Sequence, residues 1–177
     1  MNRFPIEQLI KIAQEILKDY ELDPNGAHGI RHWGRVLENG TALAEMHGGS
    51  VRVAQLFALF HDSRRFDEYA DPEHGPRGAE LAGRMNGGLF LLEPRELVLL
   101  QEACRTHTGG RGLADITVHV CWDADRLDLP RVGMDTRREW LCTPGAREEG
   151  FYQLTTGLAV EDKDSEFSTA VRQALKF

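Results

Sequence analysis

A chain of 177 residues with 41% apolar content is long enough to bury one core without disulfide or metal staples. Its formal charge of -7 argues against a binder of extended nucleic acid, which needs a surplus of clustered Lys and Arg. Three widely spaced cysteines, Cys104, Cys121 and Cys142, suit a reducing compartment better than a disulfide framework. The opening MNRFPIEQLIKIAQ lacks the apolar run of a signal peptide, and the longest apolar stretch, Val51 to Phe60, is about half of what a bilayer needs. A cytoplasmic protein with no membrane segment is expected.

From Pro5 to Tyr20 the residues Ile6, Leu9, Ile10, Ala13, Ile16 and Leu17 recur at helical spacing, which predicts an amphipathic helix with Pro5 at its first position. Asp23-Pro24-Asn25-Gly26 interrupts the chain, and Ile30, Trp33, Val36, Leu37, Leu43 and Ala44 predict a second helix that stops at Gly48-Gly49. Ser50 can cap the next segment. Periodicity alone leaves Val51 to Phe60 as either a buried strand or a buried helix, and its Ala and Leu content favours helix. Glu73 to Met85 and Pro94 to His107 read as helices, the latter with Leu97, Leu100, Cys104 and His107 along one inward stripe. Asp115 to Leu129 is a further helix, opened by an Asp cap and closed by Pro130. The weakly periodic stretch 130–160 predicts loops and short turns, and Asp164 to Phe177 a closing helix. With no repeat and no linker, the economical reading is one all-α domain over residues 1–177.

Ionisable residues sit inside segments that otherwise read as buried. His61 and Asp62 end the most hydrophobic stretch, LFALFHD, where a bare carboxylate is costly to desolvate unless paired or bound to a metal. Imidazole and carboxylate together suit Zn, Mn, Fe, Co or Ni without selecting one. His32, His74, His107 and the acidic pair of WDADRLD lie on other inward-facing helices, and bundles build metal centres from such side chains. Asp123 and Asp125 point roughly 200° apart on a helix, so only one can face a site there. Both have apolar companions, and hydrophobicity does not separate them.

The order H, HD, D, carried here by HGIRHWGRV with His32, FALFHDSRR with His61-Asp62, and DADRLDL with Asp125, resembles the HD superfamily of metal-dependent phosphohydrolases over roughly residues 26 to 130. The resemblance implies an all-helical bundle. It implies His32, His61, Asp62 and Asp125 as ligands of a divalent ion, with Asp125 preferred because it falls on the A-D-[KR]-L pattern. His74, in an H-x-x-x-G-A-like run, and His107 resemble the extra histidines of relatives that hold two metals; Asp123 is left as a substitute ligand. The chemistry implied is attack of metal-activated water on a nucleotide or other small phosphate ester, with Asp62, Arg126 and His107 as catalytic candidates. Arg126, Arg65, Arg35 and His74 are candidates for holding the substrate phosphate, and Arg64 lies near them in sequence.

For these residues the plain alternative is a buried polar network that only stabilises the bundle. His28 reads as an N-terminal turn residue or one that supports the site from behind the ligands, His47 as a solvent-facing helix end, and His119 as surface or packing. Trp33 and Trp122, next to proposed ligands, are expected to wall the site. Two other functions stay open: a di-iron oxygenase of HD type, to which His74 and His107 would contribute, and a non-catalytic metal or nucleotide sensor. The expected partner is a small phosphate or nucleotide, and the chain a monomer or homodimer.

Overall fold

The computed structural model describes residues 3–175, so the expected domain and closing helix extend at 1–2 and 176–177 beyond the described residues. Among those residues there are nine α-helices and no strand, in keeping with the all-α reading. The first is α1, Ile6–Leu17, which begins just after Pro5 and buries Leu9, Ile12, Ala13 and Ile16. Helix α2, Ile30–His47, ends at Gly48, whose φ of 73° is a left-handed conformation that closes a helix at little cost only for glycine.

Helix α3, Val51–Phe60, settles the ambiguous apolar run as a helix. The Ser50 hydroxyl caps it by accepting from Val53 N at 3.3 Å. It carries no polar face because α2, α4 (His74–Met85), α5 (Pro94–Thr106) and α6 (Ile116–Arg126) pack around it. Nine of its ten residues are buried, so the segment joins the others into one core. Helix α4 approaches very closely. A Cβ placed on Gly78 would stand 2.1 Å from Phe60 O, and one on Gly75 would stand 2.3 Å from Cys104 O, so α4 is seated between the C-terminal ends of α3 and α5. Asp115 caps α6 by accepting from Thr117 N at 2.9 Å.

The stretch 130–160 corrects the sequence reading. Beyond two 3-10 turns, Leu129–Val132 and Arg138–Trp140, it forms α7, Pro144–Arg147, and α8, Glu149–Val160. The apolar stripe of α8 is narrow, with only Thr155 and Ala159 buried, which is why its periodicity was weak. Helix α9, Glu166–Leu175, closes against α1 and α2. No helix among the described residues is long and apolar enough to cross a membrane.

Candidate metal centre

The four residues of the H, HD, D pattern converge. His32 comes from the first turn of α2, His61 and Asp62 follow the end of α3, and Asp125 lies in the last turn of α6. His32 Nε2 and His61 Nε2 are 3.0 Å apart. Asp62 Oδ2 is 3.6 Å from each of these nitrogens, and Asp125 Oδ1 is 3.4 and 3.6 Å from them. Donors about 2.0–2.1 Å from a tetrahedral ion stand roughly 3.3 Å from one another, so the spacing fits a cation at their centre.

The tautomers support the same conclusion. His61 Nδ1 lies 3.0 Å from Phe57 O, and a carbonyl can only accept, so Nδ1 carries the proton and Nε2 a lone pair. His32 Nδ1 likewise donates to the Asp128 carboxylate at 2.7 Å. Two lone pairs therefore face each other at 3.0 Å. That contact is repulsive unless something positive lies between them.

A second set repeats the pattern. His74, at the start of α4, and His107, just past α5, place their Nε2 atoms 2.9 Å apart, while their Nδ1 atoms donate to Asp71 O and, at 2.8 Å, to Cys104 O. Asp62 Oδ1 is 3.2 Å from His74 Nε2 and 3.7 Å from His107 Nε2. One carboxylate thus spans two donor sets, His32–His61–Asp62 and Asp62–His74–His107.

Burial pushes His32 and His61 well towards the neutral imidazole and His74 down to about 4, which leaves their lone pairs free at neutral pH. Burial alone would raise Asp62, but His61 and then His107 override it and hold the carboxyl low. Asp125 follows the same logic, with burial overridden first by His61. Burial would also lower His107, yet the neighbouring Asp62 and Asp125 carboxylates override it and raise it.

Other sequence candidates fall elsewhere. Asp123 is turned from the centre; its carboxylate accepts from Cys142 N and Thr143 N at 2.7 Å and from Thr143 Oγ1 at 2.8 Å. Arg35 does not reach the cavity, because its guanidinium is bound by Asp128, Asp162 and Lys163 O. Arg64 faces Ile16 O and Ser63 O. Arg65 does line the cavity, 3.5 Å from Asp62 Oδ1, and so does Arg126, although Arg126 donates to Gly110 O and to Trp140 O. Trp33 lies in the core against Tyr20, and Trp122 packs beside Gly110; the tryptophan of the cavity wall is Trp140. His47 is not merely solvated, since its Nε2 accepts from Gly145 N at 3.0 Å.

Sequence reasoning missed Asp128, which is fully buried and orients His32. The signal was present in the D-A-D-R-L-D run, where Asp128 stands three residues after Asp125 and so shares its side of the helix end. It also missed Arg111, Arg131 and the His28–Glu68 pair, all of which line the cavity of about 680 Å³ on which Asp62, His74, His107 and Asp125 open.

No protein-family model matches the sequence, and no curated protein does. The structure is similar to a solved structure described as a predicted HD superfamily hydrolase from an uncultured Thermotogales bacterium, with a TM-score of 0.63 and 28% identity over 96% of this chain and 91% of that one. Together with the helical architecture and the His/Asp groups able to hold a metal, that match gives the conclusion: the chain has an HD-domain fold.

Proposed function

We propose that this chain is a metal-dependent phosphohydrolase acting on a nucleotide or another small phosphate ester. One observation carries the reading: the two donor sets joined by Asp62 open on a cavity that four arginines also line, Arg65, Arg111, Arg126 and Arg131. Cations of that number suit an anionic substrate. His32, His61, Asp62 and Asp125 would hold one divalent ion, and Asp62, His74 and His107 a second, from the Mn, Fe, Co, Ni and Zn group that imidazole and carboxylate suit. A divalent ion held by these residues would supply Lewis-acid chemistry, activating water and polarising a phosphoryl oxygen.

The chain's own residues prepare that chemistry. Asp128, Phe57 O, Asp71 O and Cys104 O each hold a histidine Nδ1 proton, which aims four Nε2 lone pairs inward. Arg65, beside Asp62 and His74, brings positive charge to where an ester phosphate would meet the donor sets. The test is metal analysis combined with phosphate release from a panel of nucleoside mono- and triphosphates. Bound transition metal, with phosphate release that Asp62→Asn abolishes, is the expected result; a protein that takes up no transition metal, or an Asp62→Asn variant that keeps both metal and activity, overturns the reading.

The His74–His107 set favours one second reading, di-iron oxygen chemistry, because it supplies ligands for a second ion. Two iron atoms per chain, with oxygen consumption and no phosphate release, would establish it in place of hydrolysis.

A further inference from the structure

Three of the four cavity arginines are already engaged by the protein. Arg126 donates one Nη to Gly110 O and the other to Trp140 O at 3.3 Å, and so ties the loop after α5 to the 3-10 turn that carries Trp140. Arg131 donates to Ala27 O at 2.7 Å and Asp128 O at 3.0 Å. Arg65 donates to Asp67 O at 3.0 Å and lies against Asp62 and His74.

Arg111 differs. Among the described residues its guanidinium makes no hydrogen bond or ion pair; its contact is the Trp140 ring, whose centroid is 3.8 Å from Cζ. A guanidinium laid on an indole has one face covered, while its five N–H donors lie in its own plane and stay free. Arg111 is thus a solvent-exposed residue of the cavity wall, placed over Trp140, and no described residue takes its donors. Elsewhere the cavity is lined by the apolar Leu129, Val132 and Met134, which offer an anion nothing.

We propose that Arg111, presented by Trp140 and placed by the Arg126 clasp, is the residue that sets substrate specificity. It selects phosphate esters that carry a second anionic group, phosphate or carboxylate, away from the phosphate that meets the donor sets. The inference rests on the phosphohydrolase reading above, and its test separates the two.

The manganese-loaded protein is titrated by calorimetry with three probes: ethyl phosphate, propane-1,3-diol bisphosphate and 3-(phosphonooxy)propanoate. Wild type should bind at least one of the bis-anions more tightly than ethyl phosphate, and the better one names the second group. Arg111→Ala should weaken that bis-anion about 10- to 100-fold, the range expected for lost charge-assisted hydrogen bonds, and ethyl phosphate less than about 3-fold. Arg111→Lys, which keeps charge but loses the planar fork, should fall between. A merely structural role would move all three probes together. Equal weakening of the three, no weakening, or no bis-anion preference in wild type overturns the proposal while phosphate release leaves the hydrolase reading standing. A protein that binds no manganese and releases no phosphate overturns both.

Discussion

Asp128→Asn probes whether the residue behind His32 acts on the metal centre or only on the fold. The Asp128 carboxylate is fully buried, accepts from His32 Nδ1 at 2.7 Å, and accepts from Arg35 Nε and Nη2 at 2.5 and 3.2 Å. Asparagine keeps the shape but offers one acceptor oxygen, and its NH2 group must face either the His32 N–H or the Arg35 guanidinium, donor against donor. Breaking a buried ion pair from one side costs about 3–5 kcal/mol. Arg35 keeps Asp162 Oδ1 at 3.0 Å and Lys163 O at 2.9 Å, so the loss should fall at the low end, about 3 kcal/mol. Metal affinity should fall separately, by about 10- to 100-fold, because His32 is no longer held in one tautomer. Urea denaturation with and without manganese resolves the two effects. At manganese about 1,000-fold above its wild-type Kd, binding stabilises the fold by about 4.1 kcal/mol, and a 100-fold weaker site reduces that increment to about 1.4 kcal/mol. An unchanged increment in the variant would refute a role for Asp128 at the metal. Unchanged stability without metal would refute the buried pair.

Asp125→Asn should lose metal by elemental analysis, whereas Asp123→Asn should keep it and lose about 1–3 kcal/mol of stability, because three donors at Cys142 and Thr143 are left facing a poorer acceptor. Gly78→Ala should force α4 away from Phe60 O and carry His74 with it, so metal titration should show the second ion weakened more than the first. Asp115→Ala should cost about 1 kcal/mol at pH 7 through loss of the α6 cap. The Thr117 N–H holds the Asp115 carboxyl below its ordinary range, so that contribution is present above about pH 4 and lost as pH falls through the lowered value. Denaturation midpoints of the variant and wild type should therefore converge in acid; a gap that stays constant would contradict the cap.

Most of the helical frame was legible because its segments state their own period and ends. Ser50, Gly48 and Asp115 mark boundaries by local chemistry, and each does so in the structure. His61 and Asp62 stand out because ionisable groups in an apolar helix need a reason, whereas His32 and the choice of Asp125 over Asp123 come from the resemblance in the order H, HD, D and the A-D-[KR]-L pattern. What was not legible depends on distant partners. Helix α8 has too narrow a buried stripe to announce itself, and Arg35 could not be seen to be spent on Asp128, 93 residues away. Arg126, adjacent in sequence to the candidate ligand Asp125, turns its donors to Gly110 and Trp140, and only the fold places Arg111 on the Trp140 ring.

The way the histidines are oriented explains why the centre sits where it does. His61 follows directly after α3 and His107 directly after α5, and each donates its Nδ1 proton back to a carbonyl of the helix it ends, Phe57 O and Cys104 O. A histidine placed at a helix C-terminus has a carbonyl of the last turn within reach of its Nδ1, and at Phe57 O it shares that acceptor with its own backbone N–H at 3.0 Å. His74 does the same in the turn before α4 with Asp71 O, and only His32 needs a distant carboxylate. Three of the four tautomers are thus set by neighbours within four residues, with no long-range design. Apolar packing that seats α4 between the C-terminal ends of α3 and α5, through the close approaches of Gly75 and Gly78, then brings the second pair of lone pairs to Asp62. Core packing and cation binding therefore make the same geometric demand, and the Asp62 carboxylate is buried at the point where both are met.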